Sequence, residues 1–255
     1  MLLAVARLPQ VPDALDRAAA ACGLARADVQ RRLAGVLPRI LMTSVDREVI
    51  HGAEAALGAA GFLAFAFDPG TAPGDDERVV ARALEFLPGE LVVVEGVGAA
   101  ARHRLPAAAI SFLQRGARIS TTSETTSTRE RKLSLSSAVL TGGLKVTKKV
   151  ERTITETTES RERFLLVHRS DGERDVILYE RRLDYRFLGD GLAPASHANL
   201  EQTVARVRAL APGVSLDDRV GRPGFVAGLA LCSGDLLDVA LHLVNLAHRA
   251  ELRAG

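Results

Sequence analysis

From Ser120 to Arg163 the chain reads STTSETTSTRERKLSLSSAVLTGGLKVTKKVERTITETTESRER, and this stretch limits what can be built around it. Eighteen of its 44 residues are Ser or Thr and none is aromatic, so it has too few apolar groups to offset the entropy of joining an ordinary core. Two readings follow. The tract is nearly symmetric about Gly142-Gly143, a hairpin signal, with Thr- and Val-rich arms at 117–131 and 150–167 whose branched side chains suit a strand. The other reading is a disordered insertion, since an isolated two-stranded ribbon is marginal in water. All four lysines of the chain, Lys132, Lys145, Lys148 and Lys149, lie here, while arginine carries the positive charge elsewhere.

The rest reads as ordinary folded protein. At 255 residues, 47% of them hydrophobic, the chain can bury a sizeable core, and one or two domains are expected. Trp is absent and aromatics are 4%, so that core is Ala, Leu and Val. The Ala- and Arg-rich, Lys-poor usage points to a bacterial genome. Net charge is +2, but the tract holds nine bases and six acids, +3, against −1 for the remainder. Two cysteines, Cys22 and Cys232, make no disulfide framework and read as small buried hydrophobes. The longest apolar run, Ala59 to Phe67, is too short to span a membrane, and Met1 to Arg7 lacks the form of a signal peptide. A cytoplasmic protein is expected.

Punctuation divides residues 1–68 clearly. Leu2 to Leu8 predicts a strand, and a helix opened by Pro12 stops at Gly23. A second helix from Arg26 ends at Pro38, and Arg39 to Thr43 is a strand. Ser44 or Asp46 caps a third helix closed by Gly61, and Phe62 to Phe67 is a strand. The order is β-α-α-β-α-β. With the stretches LLAVAR, DALDRAAAACGL, DREVIHGAEAALGAAG and FLAFAF, it resembles the C-terminal domain of the bacterial ribosomal stalk protein, and a similar small fold serves in protease adaptors. The resemblance implies a protein-recognition module without chemistry. The lysine-bearing face that the stalk family presents to translation factors has no counterpart in the first helix, VPDALDRA.

Asp68 to Arg78, with Pro69, Gly70, Pro73 and Gly74, reads as a linker at 69–78. Residues 79–255 read as an α+β domain with the insertion at 120–163. Val79–Leu87 and Glu90–Gly96 form a hairpin about Pro88-Gly89. Arg104 to Leu113 is a short helix or strand broken by Gly116, and Phe164–His168 and Val176–Tyr185 are strands. Ser196 is expected to cap a helix with Leu200, Val204, Val207 and Leu210 on one stripe. A final helix, Asp235 to Arg253, is apolar over more than half its circumference, and the excess predicts a homodimer through 235–253. An antiparallel sheet closed by C-terminal helices resembles, in element order, pleckstrin-homology-like barrels.

No catalytic set stands out, and the reading leans against an enzyme. Gly96, Gly98 and Ala101 follow the strand LVVVE and fit the GxGxxA dinucleotide pattern, but Pro106 sits where its helix belongs. An enzyme or nucleotide-binding site at Gly96–Arg104 is therefore the alternative reading, and otherwise no cofactor is expected. None of the histidines, His51, His103, His168, His197, His242 and His248, pairs at ligand spacing, so no metal is expected. His242 and His248, six apart, are expected on different sides of their helix. Asp217-Asp218 before Arg219 reads as an exposed salt-bridging pair, and Ser233 lacks a nucleophile turn.

The basic residues Arg129, Arg131, Lys132, Lys145, Lys148, Lys149 and Arg152 remain. They read either as a solvated face or as a patch for an anionic partner surface. Nucleic acid and anionic membrane are alternatives to an acidic protein. The lack of aromatics from 113 to 163 removes the stacking platforms that single-strand binding uses. A non-catalytic, adaptor-like interaction protein is the function expected.

Overall fold

The computed structural model describes residues 1–96, 101–133, 147–222, 224–229 and 235–254, and the side chains of these except 120–133, 147–159, 227 and 228. The fold is mixed α+β. Met1–Arg118 and Arg163–Gly255 form one compact unit, and Ile119–Glu162 a second.

Within the larger unit, the first 67 residues follow the order expected from their punctuation. Strand β1 (Leu2–Arg7), helices α1 (Ala14–Cys22) and α2 (Arg26–Leu33), strand β2 (Arg39–Thr43), helix α3 (Arg47–Ala59) and strand β3 (Leu63–Phe67) make an antiparallel sheet in the order β2-β1-β3. Gly23 ends α1 with φ 62°, a conformation costly for any residue with a Cβ. Asp46 caps α3, its carboxylate accepting from the Glu48 N–H at 2.9 Å. The run LLAVA is apolar without alternation because both faces of β1 are covered. Leu3 and Val5 face α1–α3 in one core, while Leu2 and Ala4 join a second core shared with the larger sheet.

That larger sheet takes β4 (Val79–Leu87), β5 (Glu90–Glu95), β6 (Ala101–Pro106), β7 (Ile110–Leu133), β8 (Thr147–Arg169), β9 (Val176–Tyr179) and β10 (Leu216–Asp217) in the order β10-β7-β8-β9-β4-β5-β6. The sheet is mixed, not antiparallel throughout as expected. β10 runs parallel to β7, and β4 parallel to β9. Its ends, β10 and β6, are not neighbours in that order, so the described strands form no closed barrel. Strand period explains the runs FLLV and VILY. Leu165, Val167, Val176 and Leu178 pack toward α4 (Ser196–Leu210), and Phe164, Leu166, Ile177 and Tyr179 toward α5 (Leu236–Ala254).

Several local expectations change. Arg104–Leu113 holds the end of β6, a 3-10 turn at Ala107–Ala109 and the start of β7. Gly116 does not break that strand. A Cβ there would lie 2.5 Å from Cζ of the buried Phe164 ring, so glycine lets the two strands' contents fit. Val176–Tyr185 is strand only to Tyr179. Ser196 is the first helical residue rather than a cap, its hydroxyl donating to Glu180 at 2.6 Å. Residues 1–68 and, apart from 119–162, residues 79–255, expected as separate domains, fall in the one compact unit, and 69–78 holds two 3-10 turns.

The final helix is also corrected. Leu237, Val239, Ala240, Leu241, Leu243 and Val244 are all buried in the core that β1, β2 and β3 share with β7, β8 and β9. These residues of the apolar excess, on which a homodimer was expected, are packed within the chain.

Gly116→Ala is expected to cost about 1–3 kcal/mol, the usual range for overpacking a filled core. Urea unfolding measures it. Adding Phe164→Leu should recover part of the loss, whereas an Ala variant as stable as the parent would show that the Phe164 ring moves aside freely.

Candidate functional site

A cleft of about 640 Å³ is built where three stretches distant in sequence meet: the turns before Arg78, the end of β8 with its turn to Asp175, and the last three turns of α5. Strand alternation sets its floor. His168 follows Phe164 and Leu166 on the α5 side of β8, is 2% exposed and stacks on Phe112 with ring centroids 4.1 Å apart. His248 of α5 stacks on Phe112 as well, at 4.2 Å. Two rings that close cannot share one face of a phenyl ring, so Phe112 lies between the imidazoles.

His168 is fully engaged. Its Nδ1 is 2.7 Å from the Asp175 carboxylate and its Nε2 is 2.8 Å from the Gln114 side-chain amide. Burial pushes the imidazole below its ordinary pKa and outweighs the pull of Asp175, so the ring is neutral. A neutral ring has one N–H, which Nδ1 donates to Asp175. The Gln114 amide satisfies Nε2 when its NH2 group, otherwise buried without an acceptor, is the one turned toward the ring. Burial works to raise the Asp175 carboxyl, but the bonds from His168 and from the Arg169 N–H at 2.8 Å hold it low. With both ring nitrogens committed, His168 has none left to activate a nucleophile. Ser170 beside it donates to the Ala109 carbonyl at 3.3 Å.

One wall is anchored by a buried ionic cluster. Arg78, 3% exposed, donates to Asp238 at 2.6 Å, to Asp75 at 3.4 Å and to the Pro73 carbonyl. Asp75 also accepts from the Tyr179 hydroxyl at 2.7 Å and from Arg118 at 3.1 Å. Burial raises the Asp238 carboxyl against the pull of Arg78, and burial with the Asp75 bond raises the Tyr179 hydroxyl. The guanidinium of Arg182 lies 4.1 Å from the Tyr179 ring centroid. The segment expected as a linker is thus tied to α5 and β9.

Around the cleft, Arg169 pairs with Asp171 at 2.6 Å and Arg174 with Glu95 at 3.1 Å. Arg249 and Arg253 line it too, are exposed, and make no ion pair or hydrogen bond with the described residues. Two polar atoms of the same helix are buried without partners, Nδ1 of His242 and Oδ1 of Asn245. Burial, with neighbouring Arg249, pushes the His242 imidazole down to about 4.

The residues singled out from sequence lie elsewhere. Arg129, Arg131 and Lys132 fall on β7, and Lys148, Lys149 and Arg152 on β8. Lys145 is outside the described residues, as are Gly98, Cys232 and Ser233. Gly96 follows β5 and Ala101 opens β6, antiparallel to β5, where a dinucleotide site needs a helix. The bases of that alternative site are held across strands: His103 to Glu95 at 2.8 Å, Arg104 to Glu90 at 3.0 Å, Arg102 to Glu85. Asp217 and Asp218 are the salt-bridging pair expected, on Arg219 and Arg222. Burial pushes the Cys22 thiol up, away from reactivity. His242 and His248, expected apart, both line the cleft, for residues about 120° apart on a helix can straddle one groove.

Comparison of this chain with family models, with curated proteins and with solved structures found no match. The described cleft is polar and arginine-lined.

The buried histidines make stability depend on pH. A His242 imidazole at about 4 in the folded chain, against 6.5 ordinarily, binds its proton more readily when unfolded. Its contribution is complete above about pH 6.5 and is lost as pH falls toward 4. His168 and His248 are shifted the same way. The urea midpoint should therefore fall between pH 7.5 and 5.0, with His242 supplying at most about 2 kcal/mol. His242→Leu should flatten the curve. Identical curves for variant and parent would mean that His242 titrates normally.

Proposed function

We propose that this is a non-catalytic cytoplasmic interaction protein whose Ser/Thr-rich insertion contacts an anionic partner surface. One observation carries the reading. In the unit Ile119–Glu162, β7 and β8 are neighbours of each other, while β10 meets β7 only at Leu113 and Gln114 and β9 meets β8 only at Phe164–Val167. Among the described residues, then, neither arm has a strand on its outer edge from 119 to 133 or from 147 to 162. Unpaired strand edges present rows of N–H and C=O groups on which an extended segment of another chain can add a strand. Arg129, Arg131, Lys132, Lys148, Lys149 and Arg152 lie on these arms, and with Lys145 they favour an acidic protein segment.

The N-terminal β-α-α-β-α-β module, by its resemblance to the stalk domain and to adaptor domains, is proposed as a second recognition element, presenting its helices since its sheet is covered on both faces. The cytoplasmic placement rests on two cysteines that make no disulfide framework.

Changing Lys132, Lys145, Lys148 and Lys149 together to Gln tests the reading. Partners recovered from lysate by the parent at low salt should be lost from the variant, and weakened for the parent at moderate salt as charge attraction is screened. The same partners on both proteins at both salts would leave the lysines as a solvated face.

A further inference from the structure

The geometry points to a second copy of this chain as the strand that lies along the outer edge of β8: two β8 arms pair antiparallel about a two-fold axis at Ile154. This pairing uses one of the open edges on which the proposed function also rests, and needs no acidic partner. Three observations converge on it.

The first is an edge suited to taking a strand. β8 meets β9 only at Phe164–Val167, and from Lys149 to Glu159 no described strand lies on that side. Six of those eleven residues, Val150, Thr153, Ile154, Thr155, Thr157 and Thr158, are branched at Cβ, as strand positions favour. None is Pro or Gly, and the arm is long, so two of the usual devices that blunt an edge are missing.

The second is which backbone groups face that edge. The Arg163 carbonyl accepts from the Glu180 N–H at 2.9 Å, so Arg163 turns its backbone bonds to the β9 side. Along a strand the direction alternates, which assigns the odd-numbered residues down to Lys149 to the outer edge. Two copies of this strand pairing antiparallel must then match odd with odd. A two-fold axis through a residue does so, and an axis between residues does not.

The third is charge. With the axis at Ile154, Lys149 stands opposite Glu159 and Arg152 opposite Glu156. Symmetry repeats each pair, so the register sets four opposite-charge pairs and opposes no like charges. Moving the axis to Thr153 leaves no charge opposite another between Lys149 and Glu159. Moving it to Thr155 opposes Lys149 to Arg161 and Glu151 to Glu159, like to like, with only Lys148 and Glu162 matched in sign. Charge thus selects one register on a Thr-rich strand whose apolar pattern would not. β7 offers its own copy a single such match, Glu124 with Lys132 about Thr128, and keeps its outer edge for the acidic segment.

Sedimentation equilibrium of the purified full chain at low salt, with no lysate partner present, tests this. The parent should be dimeric at about 50 μM and less so at about 0.5 M salt. Lys149→Glu with Arg152→Glu, and separately Glu156→Arg with Glu159→Lys, should each weaken the dimer at least about tenfold. Mixed in equal amounts, these two variants should form a heterodimer, since every opposed pair is then opposite in sign. Ile154→Cys should cross-link to its own copy under mild oxidation, because Cα atoms so opposed lie about 4.5 Å apart. Thr158→Cys, whose copy would lie about 26 Å along the strand, should cross-link no more than the parent. A parent that is monomeric at that concentration, variants that stay monomeric on mixing, or Thr158→Cys cross-linking as well as Ile154→Cys would each overturn the proposal.

Discussion

The larger unit depends on burying the apolar circumference of α5. Each sheet covers one of its own faces with its own helices, α1–α3 for the small sheet and α4 for the large one. What remains is a second apolar face on each: Leu2, Ala4 and Ile40 on one, Phe112, Phe164, Leu166 and Ile177 on the other. A helix apolar over more than half its circumference is the element that satisfies both at once. The hydrophobic effect therefore fuses what the sequence divides into parts, because neither sheet buries its second face without the same helix.

The position of the cleft follows from that packing. Toward the end of α5 its apolar stripe gives way to Asn245, Arg249 and Arg253 along the groove, which is therefore polar. The Asp75–Arg78–Asp238 cluster fixes the same corner. Its stabilising value is modest, since desolvation offsets attraction for buried charges. Its directional bonds nonetheless tie the turn before β4 to α5, and so hold one wall of the cleft in register with the other. The stack of His168, Phe112 and His248 does the same across the floor.

Local punctuation was legible in the chain; long-range closure was not. Gly23, Asp46 and Gly61 mark helix ends by backbone chemistry that acts within a few residues, and the β-α-α-β-α-β order could be read from them. The unbroken runs LLAVA, FLLV and VILY carried the further message of strands covered on both faces, which says that helices lie on both sides without saying which. Gly116 misled because a glycine that admits a ring from the next strand looks the same as one that ends a strand. Ser196 misled because its hydroxyl found Glu180, sixteen residues away, before any helical N–H. The cleft draws on residues near 78, 112, 170 and 249, and no periodicity relates them. The nearest signal was a histidine, His168, at the end of an apolar strand where an uncommitted polar group would be costly.

The order of the chain gives the placement of α5 a consequence in time. Every described strand precedes Leu236, so during synthesis both sheets emerge with one greasy face bare. Until α5 leaves the ribosome, those faces can meet each other, or the corresponding faces of neighbouring nascent chains. The edges of the 119–133 and 147–162 arms, without a further strand among the described residues, emerge in the same interval and add a second route to sticking. Burial of both faces is therefore complete only once the closing helix has been made.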